Sequence, residues 1–375
     1  MLFREIIGQD EIKKDLIATV ANNRISHAQL FNGPEGNGML ALALAYAQYI
    51  NCTNKQDNDS CGTCPSCVKY NKLQHPDLHF VFPVATNEKV KSKPVSDNFI
   101  NEWREIMVQQ PYLTLSAWLE YIGVDNKQGG IQNEESSQIF KKLQLKTYEA
   151  EYKIMIIWMA EKMNETCANK LLKIFEEPPE KTLFILLSEN TDNMLQTILS
   201  RTQIRSIPKI DAASMQEKIA TDFNLEGDDL RTIVHNANGN YFKAFQLISY
   251  DNSHKDFFNY FTQLMRFTYG KNLVEAAKLT EIISKLGREK QKLFIEYSLK
   301  LIRENFILNQ KQEKIVYLYK QEKDFSDKFH HYINERNIAQ ITKEFNDAHF
   351  HIERNGNPKI IFFDLSIKLM ILLRA

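Results

Sequence analysis

Cys52, Cys61, Cys64 and Cys67 put four thiols inside sixteen residues, with Gly62 and Pro65 turning the chain between them. The two CxxC steps let neighbouring sulfurs meet one metal, and four thiolates complete a tetrahedral Zn²⁺ shell with no position left for water. Such a site would be structural, not catalytic. An iron–sulfur cluster and unliganded buried thiols are the alternatives that the spacing leaves. His75 and His79 lie close by, but a complete shell does not need them, and Cys167 reads as a core thiol.

The second group is a glycine turn, Gly33-Pro-Glu-Gly36-Asn-Gly38-Met39-Leu40. A working phosphate loop reads G-x-x-x-x-G-K-[ST]: backbone N–H groups wrap the phosphates, Lys reaches the β and γ phosphates, and Ser/Thr holds Mg²⁺. Here Gly33, Gly36 and Gly38 are kept, Met39 stands at the lysine position and Leu40 at the metal-ligating hydroxyl. Both electrostatic terms of phosphoryl transfer are missing, so this degenerate loop is expected to be no functional cofactor site and to hydrolyse no ATP. A lone glycine turn that merely joins a strand to a helix is the bland alternative. The acid that holds Mg²⁺ in a P-loop enzyme ends a buried strand; in Lys153–Met159 its place and the next hold Trp158 and Met159. Glu161 and Glu165, further on, read as solvated helix charges.

These groups must be positioned by strands and helices. Over the first two hundred residues, helical patterns alternate with short apolar runs, the pattern of an α/β fold with a parallel sheet. Ala28–Phe31 leads into the glycine turn, Ile154–Trp158 suits a strand buried on both faces, and Thr182–Leu187 follows Pro178-Pro179. A helix is expected over about 164–175. Residues 80 to 131 or so fit this alternation poorly and read as an insertion with two amphipathic helices, one facing inward with Phe99, Trp103, Ile106 and Met107, the other with Leu115, Trp118, Leu119 and Ile122. After Pro208 strand signals fade; Asp211 is placed to cap a helix. The remainder is helical, with Phe257, Phe258, Phe261, Leu264 and Met265 at core spacing and a C-terminal run read as a buried helix.

With 47 basic and 47 acidic side chains, the formal charge of zero provides no global field toward a polyanion. The N-terminal decapeptide lacks a signal-peptide pattern and no apolar run is long enough to span a bilayer, so the expectation is a cytoplasmic protein with no membrane partner.

The motif order then gives a resemblance. Phe3-Arg-Glu-Ile-Ile-Gly8-Gln9, the approach Arg24–Pro34 to the glycine turn, the run Ala168-Asn-Lys-Leu-Leu-Lys-Ile-Phe-Glu176-Glu177-Pro178-Pro179 and Thr197-Ile-Leu-Ser200-Arg201 occur in sequence over about residues 1 to 208. Together they resemble the clamp-loader family of AAA+ proteins, in its bacterial delta-prime branch. The resemblance implies three parts: a RecA-like AAA+ P-loop domain (1–208) carrying a zinc module (52–67) and the insertion, a small helical lid (209–252), and an all-α collar domain (253–375). It also implies a role in ATP-dependent loading of a sliding clamp onto primed DNA. The implied partners are ATPase subunits of the gamma/tau type and a delta-type subunit in a hetero-pentamer; clamp and primer-template DNA are engaged indirectly.

Ser200-Arg201-Thr202 matches the family's Ser-Arg-Cys motif, with Thr202 departing from it. The resemblance makes Arg201 a trans-acting arginine finger for the ATP of a neighbouring subunit, supported by Ser200; Arg205 is the nearby residue that could be mistaken for it. A guanidinium suits the task through its permanent charge and planar fork. Where motor subunits resemble one another in a sensor arginine, this chain has Phe242. Two rival functions remain at this point: an atypical ATPase that recruits another lysine such as Lys153, and a zinc-stabilised DNA-binding adaptor. The lack of a clustered basic-aromatic strip argues against the adaptor.

Overall fold

The structure, a computed structural model, describes residues 1–124, 128–249 and 251–374. Positions 125–127, inside the expected insertion, and position 250, near the end of the expected lid, lie outside the described residues. The chain forms two compact units: residues 1–222 with 237–244, and residues 223–236 with 245–375.

The first unit is built on a parallel sheet of five strands, β1 (Ala28–Asn32), β2 (Leu78–Val81), β3 (Lys153–Trp158), β4 (Thr182–Ser188) and β5 (Gln203–Ser206), in the order β2-β3-β4-β1-β5. This is the α/β fold expected. β3 and β4 are buried along their whole lengths, as their unbroken apolar runs require. One face of the sheet, with Leu30, Met155, Ile157, Phe184 and Leu186, packs on Leu171 and Phe175 of the Glu165–Glu176 helix. The alanine-rich Met39–Ile50 helix is buried at all twelve positions; small side chains let it lie deep in the unit. Asn164 caps the Glu165–Glu176 helix by accepting the Cys167 N–H at 2.8 Å, and Asp211 likewise accepts the Ser214 N–H at 2.9 Å ahead of the Ala212–Phe223 helix.

β2 takes Phe80 and Val81 into the sheet beside β3. The two helices expected beyond it occupy Ile100–Gln109 and Leu115–Tyr121 and bury Trp103, Met107 and Trp118. Trp103 stacks on Phe82 at 4.2 Å between ring centroids and meets Trp118 edge-on at 5.1 Å. The same ring lies 5.2 Å from Trp158, the last residue of β3.

The second unit is helical, and its core gathers Phe261, Leu264, Phe294, Leu301, Phe345 and Leu369. Its last helix, Pro358–Leu372, buries Phe362, Leu365, Leu369 and Met370. The expected buried helix is thus packed on one face; on the other, Ile360 is 67% exposed and Ile371 70%, with Ile367 exposed between them.

Candidate functional site

The glycine turn lies at the C-terminal end of β1, next to β4, where the strand order reverses and ligands of open α/β sheets enter. Gly38 ends it as the N-cap residue of the Met39–Ile50 helix, in the left-handed region at φ +87°, and Gly36 stands there at φ +68°. Met39 and Leu40 are 5% and 4% exposed: their side chains belong to the core and face no ligand. The chain itself answers some of the loop's polar groups. Asn37 accepts the Met39 N–H at 3.1 Å and donates to the Ile207 carbonyl at 2.9 Å, and the Tyr241 N–H donates to the Gly36 carbonyl at 3.0 Å.

Two side chains crowd the turn from outside. A Cβ on Gly36 would collide with the Asn240 amide, and one on Gly38 with the Tyr112 ring. Tyr112 comes from the segment expected to be an insertion. It accepts the Ile7 N–H at 2.9 Å and packs on Tyr241 with ring centroids 4.9 Å apart. The Asn240 Nδ2 donates to Glu35 at 3.2 Å, while the Glu161 carboxylate accepts the Glu189 N–H at 3.1 Å. Burial first, then the charges of Glu35 and Glu161, push the Glu189 carboxyl up to about 8. Burial also raises Glu35. At neutral pH Glu189 is thus mostly protonated, and the charges of Glu35 and Glu161 are those that disfavour a polyanion at the turn, so Glu161 is more than the solvated charge expected of it.

Trp158 and Met159 end β3 buried, Trp158 inside the aromatic cluster with Trp103 and Met159 in the left-handed region at φ +55°. Phe242 is buried too. Lys153 sits at the opposite end of β3 from the glycine turn, where its Nζ donates to the Lys142 carbonyl at 2.9 Å and to the Leu145 carbonyl. Its ammonium caps the end of the Asn133–Gln144 helix, so the lysine that an atypical ATPase would recruit is committed elsewhere.

Arg201 follows the short Gln196–Leu199 helix at the surface. Its Nε donates to Glu176 at 2.8 Å and its Nη1 to the Thr197 carbonyl at 3.0 Å and to Ser200 Oγ at 3.2 Å. Ser200 is thus set against the guanidinium, and the Thr202 hydroxyl turns back on the Ile198 carbonyl at 3.2 Å. Arg205 lies on β5 with its Nε toward Gln29 at 3.4 Å.

The four cysteines converge, with all four sulfurs within 4.8 Å of one another. Cys52 Sγ lies 3.6 Å from Cys61 Sγ and 4.0 Å from Cys64 Sγ, and Cys61 Sγ 3.9 Å from Cys67 Sγ. Sulfurs 2.3 Å from a tetrahedral centre stand about 3.8 Å apart, so the cluster fits Zn²⁺. The backbone N–H groups of Cys61, Cys64 and Cys67 point at the preceding ligand sulfurs at 3.2–3.4 Å. Burial acts to raise the Cys64 thiol, but bonds from Thr53 and the Cys67 N–H outweigh it and hold the thiol at about 6, ready as a thiolate. His75 is buried and faces Glu149 at 3.2 Å, and Cys167 is a core thiol that burial pushes up to about 11.

Tyr112, Asn240, Glu189 and Glu176 were not singled out by sequence reasoning. Only Glu176 carried a signal, its place in the Glu-Glu-Pro-Pro run; the others meet the turn from 74 to 204 residues away in the chain. Among known families, the model described as DNA polymerase III, delta subunit, matches residues 8–211, just over half of the chain. The chain belongs to this family. Within reach of it, DNA polymerase III subunit delta' of Bacillus subtilis (strain 168) is 26% identical over 211 residues, 56% of this chain and 51% of that protein. Subunit delta' of Yersinia pestis is 30% identical over 199 residues, 53% of this chain and 44% of its own length. DNA polymerase III subunit gamma/tau of Mycobacterium tuberculosis (strain ATCC 25618 / H37Rv) is 25% identical over 227 residues, 60% of this chain and 32% of its own. The chain spans about half the length, or less, of these curated relatives. Among the described residues no helix is long and apolar enough to cross a membrane.

Proposed function

We propose that this chain is the non-hydrolysing, delta-prime-type subunit of a clamp loader. It joins gamma/tau-type ATPase subunits and a delta-type subunit in a hetero-pentamer that loads a sliding clamp onto primed DNA. The observation that carries this reading is the pairing of a surface Arg201 with a glycine turn that is crowded by Tyr112 and Asn240 and has Met39 and Leu40 buried behind it. In trans, Arg201 would stabilise the negative charge that grows on a neighbour's γ-phosphoryl group as water attacks phosphorus and the bridging oxygen leaves with ADP. Ser200 accepts from Nη1 of that guanidinium. The three-part division into AAA+ domain, lid and collar belongs to the same reading. So does the exposed Ile360, Ile367 and Ile371 stripe, which suits a neighbouring subunit better than water.

Cys52, Cys61, Cys64 and Cys67 would hold a structural Zn²⁺, which supplies folding energy and no catalysis, since four thiolates leave no open position. Metal analysis of the chain purified under reducing conditions should give one zinc per chain, and Cys61→Ser should lose the zinc and melt lower by several degrees. Zinc-free protein with unchanged melting would overturn the assignment. For the main reading, ATP turnover by the isolated chain should be at background and should appear with the ATPase subunits, in a complex that co-purifies with this chain. Robust turnover by the isolated chain, abolished by a substitution in the Gly33–Gly38 turn, would refute it.

A further inference from the structure

All three guanidinium nitrogens of Arg201 are engaged within its own subunit. Nε and Nη2 both donate to one oxygen of Glu176, at 2.8 and 2.5 Å, and Nη1 to the Thr197 carbonyl and Ser200 Oγ. Glu176 is the last residue of the Glu165–Glu176 helix, where a carboxylate meets the negative end of the helix dipole and gains from a cation beside it. Thr197 and Ser200 hold Nη1 from the arginine's own turn; Glu176 holds the Nε–Nη2 edge from a different element.

We propose that Glu176 is a positioning residue, a latch that holds Arg201 against its own subunit until a neighbour's triphosphate draws it away. The proposal rests on reading Arg201 as a trans-acting finger. The physical case is one of competition. Arg201 is 34% exposed and Glu176 47%, so water and salt screen the pair and its grip is weak. A γ-phosphate offers more charge and a better-matched fork of oxygens than one carboxylate oxygen, so it wins once a docked neighbour presents it. Before that, the latched fraction is unavailable, and the neighbour's turnover falls to the level set by the free fraction. The latch therefore restrains hydrolysis in loosely assembled or DNA-free loader and leaves the fully engaged state little changed.

The test uses the complex reconstituted with its gamma/tau-type and delta-type subunits, carrying wild-type chain, Glu176→Gln, Arg201→Ala or both, with ATP turnover measured with and without primed DNA. Glu176→Gln keeps the shape of an exposed side chain and should fold normally. The latch predicts that Glu176→Gln raises kcat/KM without DNA about two- to fivefold, as expected for loss of one exposed ion pair. The gap from wild type should narrow as salt rises toward about 0.3 M, where the Debye length falls below that of physiological buffer. It should vanish on the Arg201→Ala background. Unchanged or slower turnover in Glu176→Gln, beside a clear loss in Arg201→Ala, overturns the latch and leaves the finger standing. An increase that persists on the Arg201→Ala background also overturns it, because the effect then does not run through Arg201. Arg201→Ala turning over as fast as wild type removes the finger reading and the latch with it.

Discussion

The glycine turn and the Arg201 turn lie in the same unit, and the chain treats them oppositely. Around the first, Asn37 satisfies backbone groups, Tyr112 and Asn240 cover glycines, and Trp158 has become part of an aromatic core. Around the second, a cation stays at the surface just after a short helix, held by bonds that water can compete for. Met39, Leu40 and Trp158 are packed into the core, while Arg201 keeps its charge and part of its exposure. In the proposed reading the glycine turn is a structural joint, and Met39 and Leu40 belong to the same packing as Trp158.

That contrast predicts that changes at the turn reduce stability and changes at Arg201 reduce activity. The largest stability effect should come from Gly36→Ala, which forces a left-handed φ on an alanine and drives its methyl into Asn240: about 2–4 kcal/mol, read as a lower denaturant midpoint. Asn37→Ala should follow at about 1–3 kcal/mol, since it leaves the Ile207 carbonyl and the Met39 N–H unpaired in the core. Glu189→Gln should act the other way. Below about pH 4.5 the carboxyl is protonated in both folded and unfolded chains and contributes nothing. Between there and about pH 8 the unfolded chain ionises it while the folded chain holds it neutral, so the wild type loses stability as pH rises and levels off above that. Thermal melts should show Glu189→Gln more stable by about 1–2 kcal/mol at pH 8, after discounting for its partial exposure, with the gain fading toward pH 5. Smallest of all, Arg201→Ala should shift stability by less than about 1 kcal/mol. A large destabilisation there, or none at Gly36, would dissolve the distinction between joint and finger.

The sequence was most legible where local pattern and burial agree. β3 and β4 are continuous apolar runs and read directly as buried strands, and Asp211 caps the Ala212–Phe223 helix as expected. β2 and β5 did not read as strands because each lies at a sheet edge: Leu78-His-Phe-Val is interrupted by His79, and Gln203-Ile-Arg-Ser is largely exposed. The four-cysteine cluster was legible from spacing alone, since its geometry is local. The closure of the glycine turn was not, because Tyr112 and Asn240 reach it from distant segments and neither is unusual in its own neighbourhood. The exposed face of the Pro358–Leu372 helix was harder to read, because isoleucines recur on both of its sides and few charges, Asp364 and Lys368 among them, mark the outer one.

The central claim is that this chain supplies Arg201 to a neighbour's ATP and has no ATP site of its own. DNA-stimulated ATP turnover by the reconstituted complex carrying Arg201→Ala tests it most directly. The account predicts a loss of at least about tenfold at saturating ATP, a floor below the roughly 10³–10⁵ that an arginine finger contributes at the site it serves, with the complex still assembled. Wild-type turnover in an intact Arg201→Ala complex would contradict it.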